Sequence, residues 1–505
     1  MRFNIIIGGK AGQGPNIVTE VVSQGLVSAG YHAFYAREYE SLIRGGHNYN
    51  TLTFSLIATR SNQSKIDILV CLDDNTEKVH KENLKKNAIV LKYKEPKENM
   101  HYAGALYKIL GLDFRILENQ LRKLKNLDEN LREARKGFND ETRSLGIEKP
   151  QNSNTGFKLI NGNHGISEGA IKSGLQYYYS YPMTPATPVM MMLGDMMMEK
   201  DAKHKVIELE SEIAVVIATL GSSLMGARAM CGTSGGGFDL MTEGLSMAGQ
   251  AEIPIVIYLS SRPGPSTGLA TYSSQGDLDL ALYSGHGEFN RVVIAPGDAL
   301  ESAELTNQGF YFSQKFRTPV ILLGDKNLAE SKSVVETEPK IIEIINSITS
   351  MEKFNSYEHN EAGIAIEDAE TTAKNFDRRA KIGKEIAREA QKFEMYKIHG
   401  NKNSKNLIIG WGSTKGAILD AMHDGNIDAK FLQILYLEPF PEKILDELKK
   451  ANKILIVENN ATSQLSKLIA TKTGFIIEDK NKILRYDGRA FFSDELAEEI
   501  KRRMR

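Results

Sequence analysis

Three glutamates on alternate positions, Glu208, Glu210 and Glu212, stand directly before the apolar run IAVVIATLGSSLMGA. A buried carboxylate is costly unless it has a partner or a chemical task, and proton transfer is the task it does best. Period-two spacing sets all three on one face of an extended segment, where mutual repulsion opposes burying more than one. Glu212, nearest the apolar run, is the one expected inside. The competing reading is a solvated charge run at a helix start, where acids suit the dipole. A second stretch, YYYSYPMTPATPVMMMLGDMMMEK from Tyr177, carries Pro182, Pro185 and Pro188 at every third position. Proline lacks an N–H and fixes φ, so this segment is neither helix interior nor central strand. It reads as a rigid rim bearing Tyr181 and Thr184 around a ligand, or as a loop with proline in the first turn of the helix that follows.

Four more stretches could do chemistry. Thr233-Ser234-Gly235-Gly236-Gly237 lies between apolar segments that read as helices. Three glycines in a row are conformationally expensive, which a close backbone approach to a ligand or partner accounts for, as does a flexible loop. Arg262, in SSRPGPSTG after the strand-like IVIYL, stands where ligands bind at strand ends in open α/β sheets and suits a bidentate grip on a carboxylate. Near the start, Gly8-Gly9-Lys10-Ala11-Gly12-Gln13-Gly14 follows a strand and opens a helix. That arrangement either cradles a phosphate or makes a tight turn. No Lys-Ser/Thr pair follows the last glycine, so it is not a Walker loop, nor is it a clean G-x-G-x-x-G. Arg44, in EYESLIRGGHNYN, lines a groove or sits in a hairpin.

These residues need a scaffold, and short apolar strands alternating with helical patterns supply an α/β one. FNIIIGG, NTLTFSLI, DILVCL and AIVLKY belong to a first layer; IPIVIYLSS, NRVVIAPG and TPVILLGD to a second; NLIIGWG, AKFLQILYL and KILIVENN to a third. The expected fold is three doubly wound domains in series. The expected units are 1–145, a linker 146–156, 157–335, a linker 336–403 containing a charged, solvated helix, and 404–505. A net charge of −1 with interspersed signs offers no basic face for nucleic acid. No apolar stretch of about 18 residues is present to span a membrane. The start of the chain reads as a first strand, not a signal peptide. The two cysteines, Cys71 and Cys231, fit a reducing compartment, hence the cytoplasm, and are too few to hold a four-thiolate iron–sulfur cluster.

The order YPMTP, ESEIA, GTSGGGFDLM, RPGPSTG, QGDLDL, GHGEF resembles the α subunit of the 2-oxoacid:ferredoxin oxidoreductases, which are thiamine diphosphate enzymes. KAGQG with IRGGHN resembles the γ subunit of the same family, and NLIIGWGSTKGAI, LEPFPEKIL and VENN resemble its transketolase-like C-terminal domain. The whole chain thus resembles a γ–α fusion: a γ-type Rossmann-like domain, a pyrimidine-type thiamine diphosphate domain and a transketolase C-terminal-like domain.

The resemblance implies roles residue by residue. Glu212 matches the glutamate that hydrogen-bonds the aminopyrimidine ring, so that the exocyclic nitrogen can take the proton from the thiazolium carbon. Thr184 meets the reacting carbonyl end of the substrate and Arg262 binds its carboxylate, with Ser266 and Thr267 beside it. Tyr181, Pro182, Thr233, Ser234 and Gly235 fall on the thiamine diphosphate side. Gly9, Gly12, Gly14 and Arg44 fall on the side that helps bind coenzyme A. Met183 stands for the usual isoleucine, TSGGG for TSGPG and GLAT for GLPT, two lost prolines that should loosen two loops. GDKN at Gly324 lacks the second glycine of the Mg²⁺–diphosphate motif, so Mg²⁺ and a [4Fe–4S] cluster are expected on a separate β subunit, in an αβ or (αβ)2 assembly. The reaction implied is oxidative decarboxylation of a 2-oxoacid with coenzyme A to acyl-coenzyme A and CO₂, electrons passing to ferredoxin. 2-Oxoglutarate is favoured over pyruvate or a broad 2-oxoacid range. A non-catalytic dinucleotide-binding protein and a scaffold subunit without turnover are the competing readings.

Overall fold

The computed structural model describes residues 1–40, 46–95, 97–151, 156–348 and 355–504. The run Ile5-Ile6-Ile7, β-branched and closed by glycines, forms β1 (Phe3–Lys10) at the centre of the first sheet. Beside it lie β2 (His32–Glu38), β3 (His47–Ser55), β4 (Ile66–Cys71) and β5 (Leu84–Leu91). Two short strands from farther along the chain, β6 (Lys158–Ile160) and β13 (Lys332–Val335), complete the sheet in the order β5-β4-β1-β3-β2-β13-β6. β1 pairs in parallel with β4 but antiparallel with β3, and β2, β13 and β6 continue antiparallel. The layer is therefore mixed, and two of its strands come from beyond residue 145. Strands of three or four residues carry too little periodicity to be read from sequence.

The second sheet holds β7 (Tyr177–Ser180), β8 (Lys205–Glu208), β9 (Ala229–Thr233), β10 (Val256–Ser261), β11 (Val292–Ile294) and β12 (Val320–Asp325). Its order is β17-β11-β12-β10-β9-β7-β8, parallel except at β17 (Tyr436–Glu438), which pairs antiparallel with β11. β9, β10, β11 and β12 are buried along their whole lengths, as a parallel sheet covered on both faces requires. From β7 the chain winds outward to β8, then crosses back to place β9 on the other side of β7. Ligands in open α/β sheets bind outside the carboxyl ends of strands at such a reversal.

A third sheet, β14 (Tyr396–Gly400), β16 (Lys430–Ile434), β15 (Asn406–Trp411), β18 (Lys453–Glu458) and β19 (Lys482–Leu484), is parallel apart from β14. The charged helix Ala369–Ala390 buries only Arg379, Ile386 and Ala390 and is otherwise solvated. Polar anchors join the layers. Arg2 Nη2 meets Asp420 Oδ1 at 2.9 Å with both side chains buried, and Lys415 Nζ meets Glu301 Oε1 at 2.6 Å.

Candidate active site

Four adjacent strands, β8, β7, β9 and β10, deliver side chains to one end of the second sheet. β8 stops at Glu208, which is exposed, as is Glu210. At Ser211 the backbone takes φ 65° and ψ 154°, a region that non-glycine residues enter at a cost of about 1–3 kcal/mol. That kink turns Glu212 inward as the first residue of the helix Glu212–Leu224, 2 % exposed. The three acids thus do not share one face: the extended segment ends before Glu212, and only this one is buried. Glu212 Oε1 accepts from the Thr233 hydroxyl at 3.3 Å.

The three glycines lie between β9 and the helix Gly235–Gln250, forming that helix's first turn. They do not separate two helices, because Ala229–Thr233 is a buried strand. Their geometry explains them individually. A Cβ on Gly237 would stand 2.1 Å from Thr233 Oγ1 and 2.4 Å from Glu212 Oε1. One on Gly235 would stand 2.6 Å from Asp277 Oδ2, whereas Gly236 has room for a side chain, its nearest contact being Ser266 O at 3.7 Å. The turn is squeezed between two carboxyl groups.

At the end of β7, the peptide bonds Thr184–Pro185 and, across the site, Gly264–Pro265 are cis. Arg262 Nη1 donates to the Thr184 carbonyl at 2.9 Å, so these two residues are brought together, and Met183 Sδ lies 3.9 Å from Thr233 Oγ1. Arg262 Nε and the hydroxyls of Ser234 and Ser261 are buried without a well-formed hydrogen bond. Burial lowers the Arg262 pKa, while the charges of Asp277 and Glu212 pull it back up. Arg262 and Ser266 line a cavity of about 530 Å³ with Gly235, Asp239, Asp277 and Tyr486. Thr267 is exposed and does not line it; Tyr181 is half-buried and Pro182 exposed.

Thr184 lines a second cavity of about 600 Å³ with Asn16, Ile17, Arg37, Tyr39 and Lys332. Asn16 and Ile17 open the helix Pro15–Ser28, directly after the glycine motif. Gly9, Gly12 and Gly14 are not in that lining. Their turn closes on itself, with Gln13 N donating to Lys10 O at 3.1 Å and Lys10 N to Gln13 Oε1 at 2.7 Å. Gly12 and Gly14 have φ of 90° and 80°, which glycine adopts without strain. Arg44 lies outside the described residues.

Both oxygens of Asp325, in GDKN, are engaged: Oδ1 accepts from Leu328 N at 2.9 Å and Oδ2 from Ser413 Oγ at 2.6 Å. Among the described residues no group of three or more His, Cys, Asp or Glu side chains is arranged to hold a metal ion. Cys71 and Cys231 are both free and buried, and burial pushes each thiol up to about 12.

Sequence reading passed over two residues here. Asp277, inside QGDLDL, is nearly enclosed, and burial pushes its carboxyl up to about 6. Gln275 clamps the Arg262-bearing loop to the third layer: Nε2 donates to Trp411 O at 2.8 Å and Oε1 accepts from Asn459 N at 2.9 Å. A lone polar residue beside a glycine gives no signal of either role without the partners in space.

Residues 168–402 match the family described as pyruvate flavodoxin/ferredoxin oxidoreductase, thiamine diphosphate-binding, and residues 4–98 match pyruvate ferredoxin/flavodoxin oxidoreductase. A Sulfolobus 2-oxoacid:ferredoxin oxidoreductase subunit alpha is 31 % identical, covering 99 % of this chain and 96 % of its own. The 2-oxoglutarate synthase subunit KorA of Archaeoglobus fulgidus is 30 % identical over 60 % of this chain and 88 % of its own. The solved 2-oxoglutarate:ferredoxin oxidoreductase of Magnetococcus marinus, with 2-oxoglutarate, coenzyme A and succinyl-CoA bound, superposes over 100 % of both chains at a TM-score of 0.89 and 22 % identity. It shares the fold. With a relative this similar along nearly its full length, the chain belongs to the 2-oxoacid:ferredoxin oxidoreductases, as an alpha subunit.

Proposed function

We propose that this chain forms the aminopyrimidine-facing half of a thiamine diphosphate pocket whose other half comes from a β subunit. The assembly would oxidatively decarboxylate a 2-oxoacid, 2-oxoglutarate by preference, to acyl-coenzyme A and CO₂, passing electrons to ferredoxin. The observation that carries the reading is Glu212, a carboxylate sunk at a helix N-terminus beside Thr233 and a glycine-only turn. The glycine at 237 leaves room where a side chain would displace that carboxylate, and Ser234 Oγ and Arg262 Nε await partners, so the donor set fits a polar ring.

When bound, thiamine diphosphate supplies a ring that stabilises negative charge at the reacting carbon. Glu212 would hydrogen-bond a nitrogen of that ring, and the Thr233 hydroxyl orients its carboxyl group for it. Arg262 would grip the substrate carboxylate, and its bond to the Thr184 carbonyl ties the two residues together at the strand ends. Both Asp325 oxygens being engaged favours Mg²⁺ held by the partner, which we also propose to carry the iron–sulfur cluster. Asn16, Ile17 and Lys332 in the cavity behind Thr184 support entry of coenzyme A from the first layer. For the 2-oxoacid, the KorA relatives favour 2-oxoglutarate.

The β subunit has a surface to cover. Ile213 and Ile217, one turn apart on the helix Glu212–Leu224, and Met225 just past its end are 54, 45 and 67 % exposed. Between them Gly221 is open, with nothing within 4 Å of a Cβ placed there. Co-expression with the β subunit tests the whole reading. A complex carrying thiamine, iron and sulfide, with its highest kcat/KM for 2-oxoglutarate among 2-oxoglutarate, pyruvate and 2-oxobutyrate, is the expected result. A chain that binds dinucleotide through residues 1–120 and forms no such complex would contradict it.

A further inference from the structure

Asp277 occupies the position preceding the helix Leu278–Tyr283, where aspartates commonly cap, yet its carboxylate accepts no backbone N–H there. Gln464 performs that task instead. Its Oε1 accepts from Leu278 N at 3.0 Å and Asp279 N at 3.3 Å, and its Nε2 donates to Gly276 O at 2.9 Å. Released from capping, the Asp277 carboxyl turns against Gly235 in the first turn of Gly235–Gln250, a position where a Cβ would stand 2.6 Å from its Oδ2. Its Oδ2 is buried without a well-formed hydrogen bond, the Ser261 hydroxyl only weakly engaging the carboxyl, and the residue lines the 530 Å³ cavity together with Arg262. A sealed polar atom so weakly paired is costly, and a proton is the smallest thing that relieves it.

The charged and titratable groups around it come from every neighbouring element. Arg262 ends β10, Asp239 projects from Gly235–Gln250, Glu212 acts on Arg262 from its own helix, and Tyr486 lines the cavity from beyond β19. Burial, with the Asp239 charge adding to it, pushes the Asp277 carboxyl up to about 6 against the opposing pull of the Ser261 hydroxyl and Arg262.

We infer that Asp277 is a positioning residue that tunes the anion grip of Arg262: protonated, it leaves the guanidinium charge to a substrate carboxylate; ionised, it competes for that charge. The inference rests on Arg262 being the carboxylate grip proposed above. The sign follows directly. Asp277 loses its proton as pH rises through about 6, so substrate binding weakens above that pH and tightens below it. Linkage is reciprocal, so a bound carboxylate raises the proton affinity of Asp277 and binding takes up a proton.

The test uses the complex with the β subunit. Between about pH 5.5 and 8 the KM for 2-oxoglutarate should rise about fivefold or more in the parent, while Asp277→Asn holds the low value throughout. A parent-like pH dependence in Asp277→Asn, with thermal stability and thiamine content intact, overturns the inference. Should that variant fail to fold, proton uptake by the unaltered complex on binding an inert 2-oxoacid analogue near pH about 6.5 decides the matter; absence of uptake is the negative result. Arg262→Lys separates the two layers of argument. An unchanged KM there removes the arginine assignment itself, whereas a raised KM with an unaltered profile in Asp277→Asn removes only the role of Asp277.

Discussion

Glu212 owes its place to residues that have no chemistry of their own. The strained backbone at Ser211 points it inward, Thr233 donates to it, and Gly237 stays out of its way. This makes the glycines separable by experiment. Gly237→Ala drives a methyl into Thr233 Oγ1 and Glu212 Oε1 and should destabilise the chain by about 1–3 kcal/mol, with turnover falling alongside. Gly236→Ala, in open space on the same turn, should leave both within error or gain up to about 1 kcal/mol through reduced unfolded-chain entropy. Thermal melts and turnover of the two variants check this pair. Sequence spacing was enough to single out Glu212 from its two neighbours by its closeness to an apolar run. It was not enough to show the kink that isolates it, because a positive φ at a serine is set by the packing around it.

At the scale of elements, the loop carrying Arg262 is held from three sides. Thr271 Oγ1 donates to Tyr39 O at 2.7 Å, Ser273 N to Gly488 O at 2.9 Å, and Gln275 bonds Trp411 and Asn459. The proline missing relative to GLPT should have loosened this loop, yet fixed backbone partners in two other layers anchor residues 262–276. The strands themselves were legible where six or more residues in extended form carried an apolar, partly β-branched run, as in β1, β10 and β12. The triple glycine was misplaced between helices because Ala229–Thr233, rich in small residues, reads equally as helix or strand. The exposed Ile213, Ile217 and Met225 belong to this scale too. Ile213→Asp with Ile217→Asp should leave the isolated chain folded, since both side chains are largely exposed, and abolish assembly with the β subunit in size-exclusion chromatography.

The whole molecule is interlocked by exchanged strands: β6 and β13 belong to the first sheet although they bracket the second, and β17 leaves the third region to edge the second sheet. Domain lengths read from sequence as units in series do not convey this, because short edge strands depend on their neighbours for recognition. Arg2 and Asp420, more than four hundred residues apart, close the circuit between the first and third layers. Burial raises the Asp420 carboxyl while Arg2 opposes it. Arg2→Met should therefore cost about 1–3 kcal/mol at neutral pH, because buried Asp420 keeps only the more exposed Arg60 guanidinium, at 3.8 Å, as counter-ion. An elevated folded-state carboxyl pKa penalises folding above that pKa, so the deficit should shrink as pH falls and Asp420 takes up a proton; urea melts at neutral and mildly acidic pH measure it.

The central claim is that the Glu212 carboxylate faces the ring of bound thiamine diphosphate. The most direct measurement is hydrogen–deuterium exchange at the thiazolium carbon in the complex with the β subunit, comparing the parent with Glu212→Gln. With thiamine content equal in both, exchange in Glu212→Gln should slow by about 10²–10⁴-fold. Exchange at the parent rate in Glu212→Gln would contradict the account.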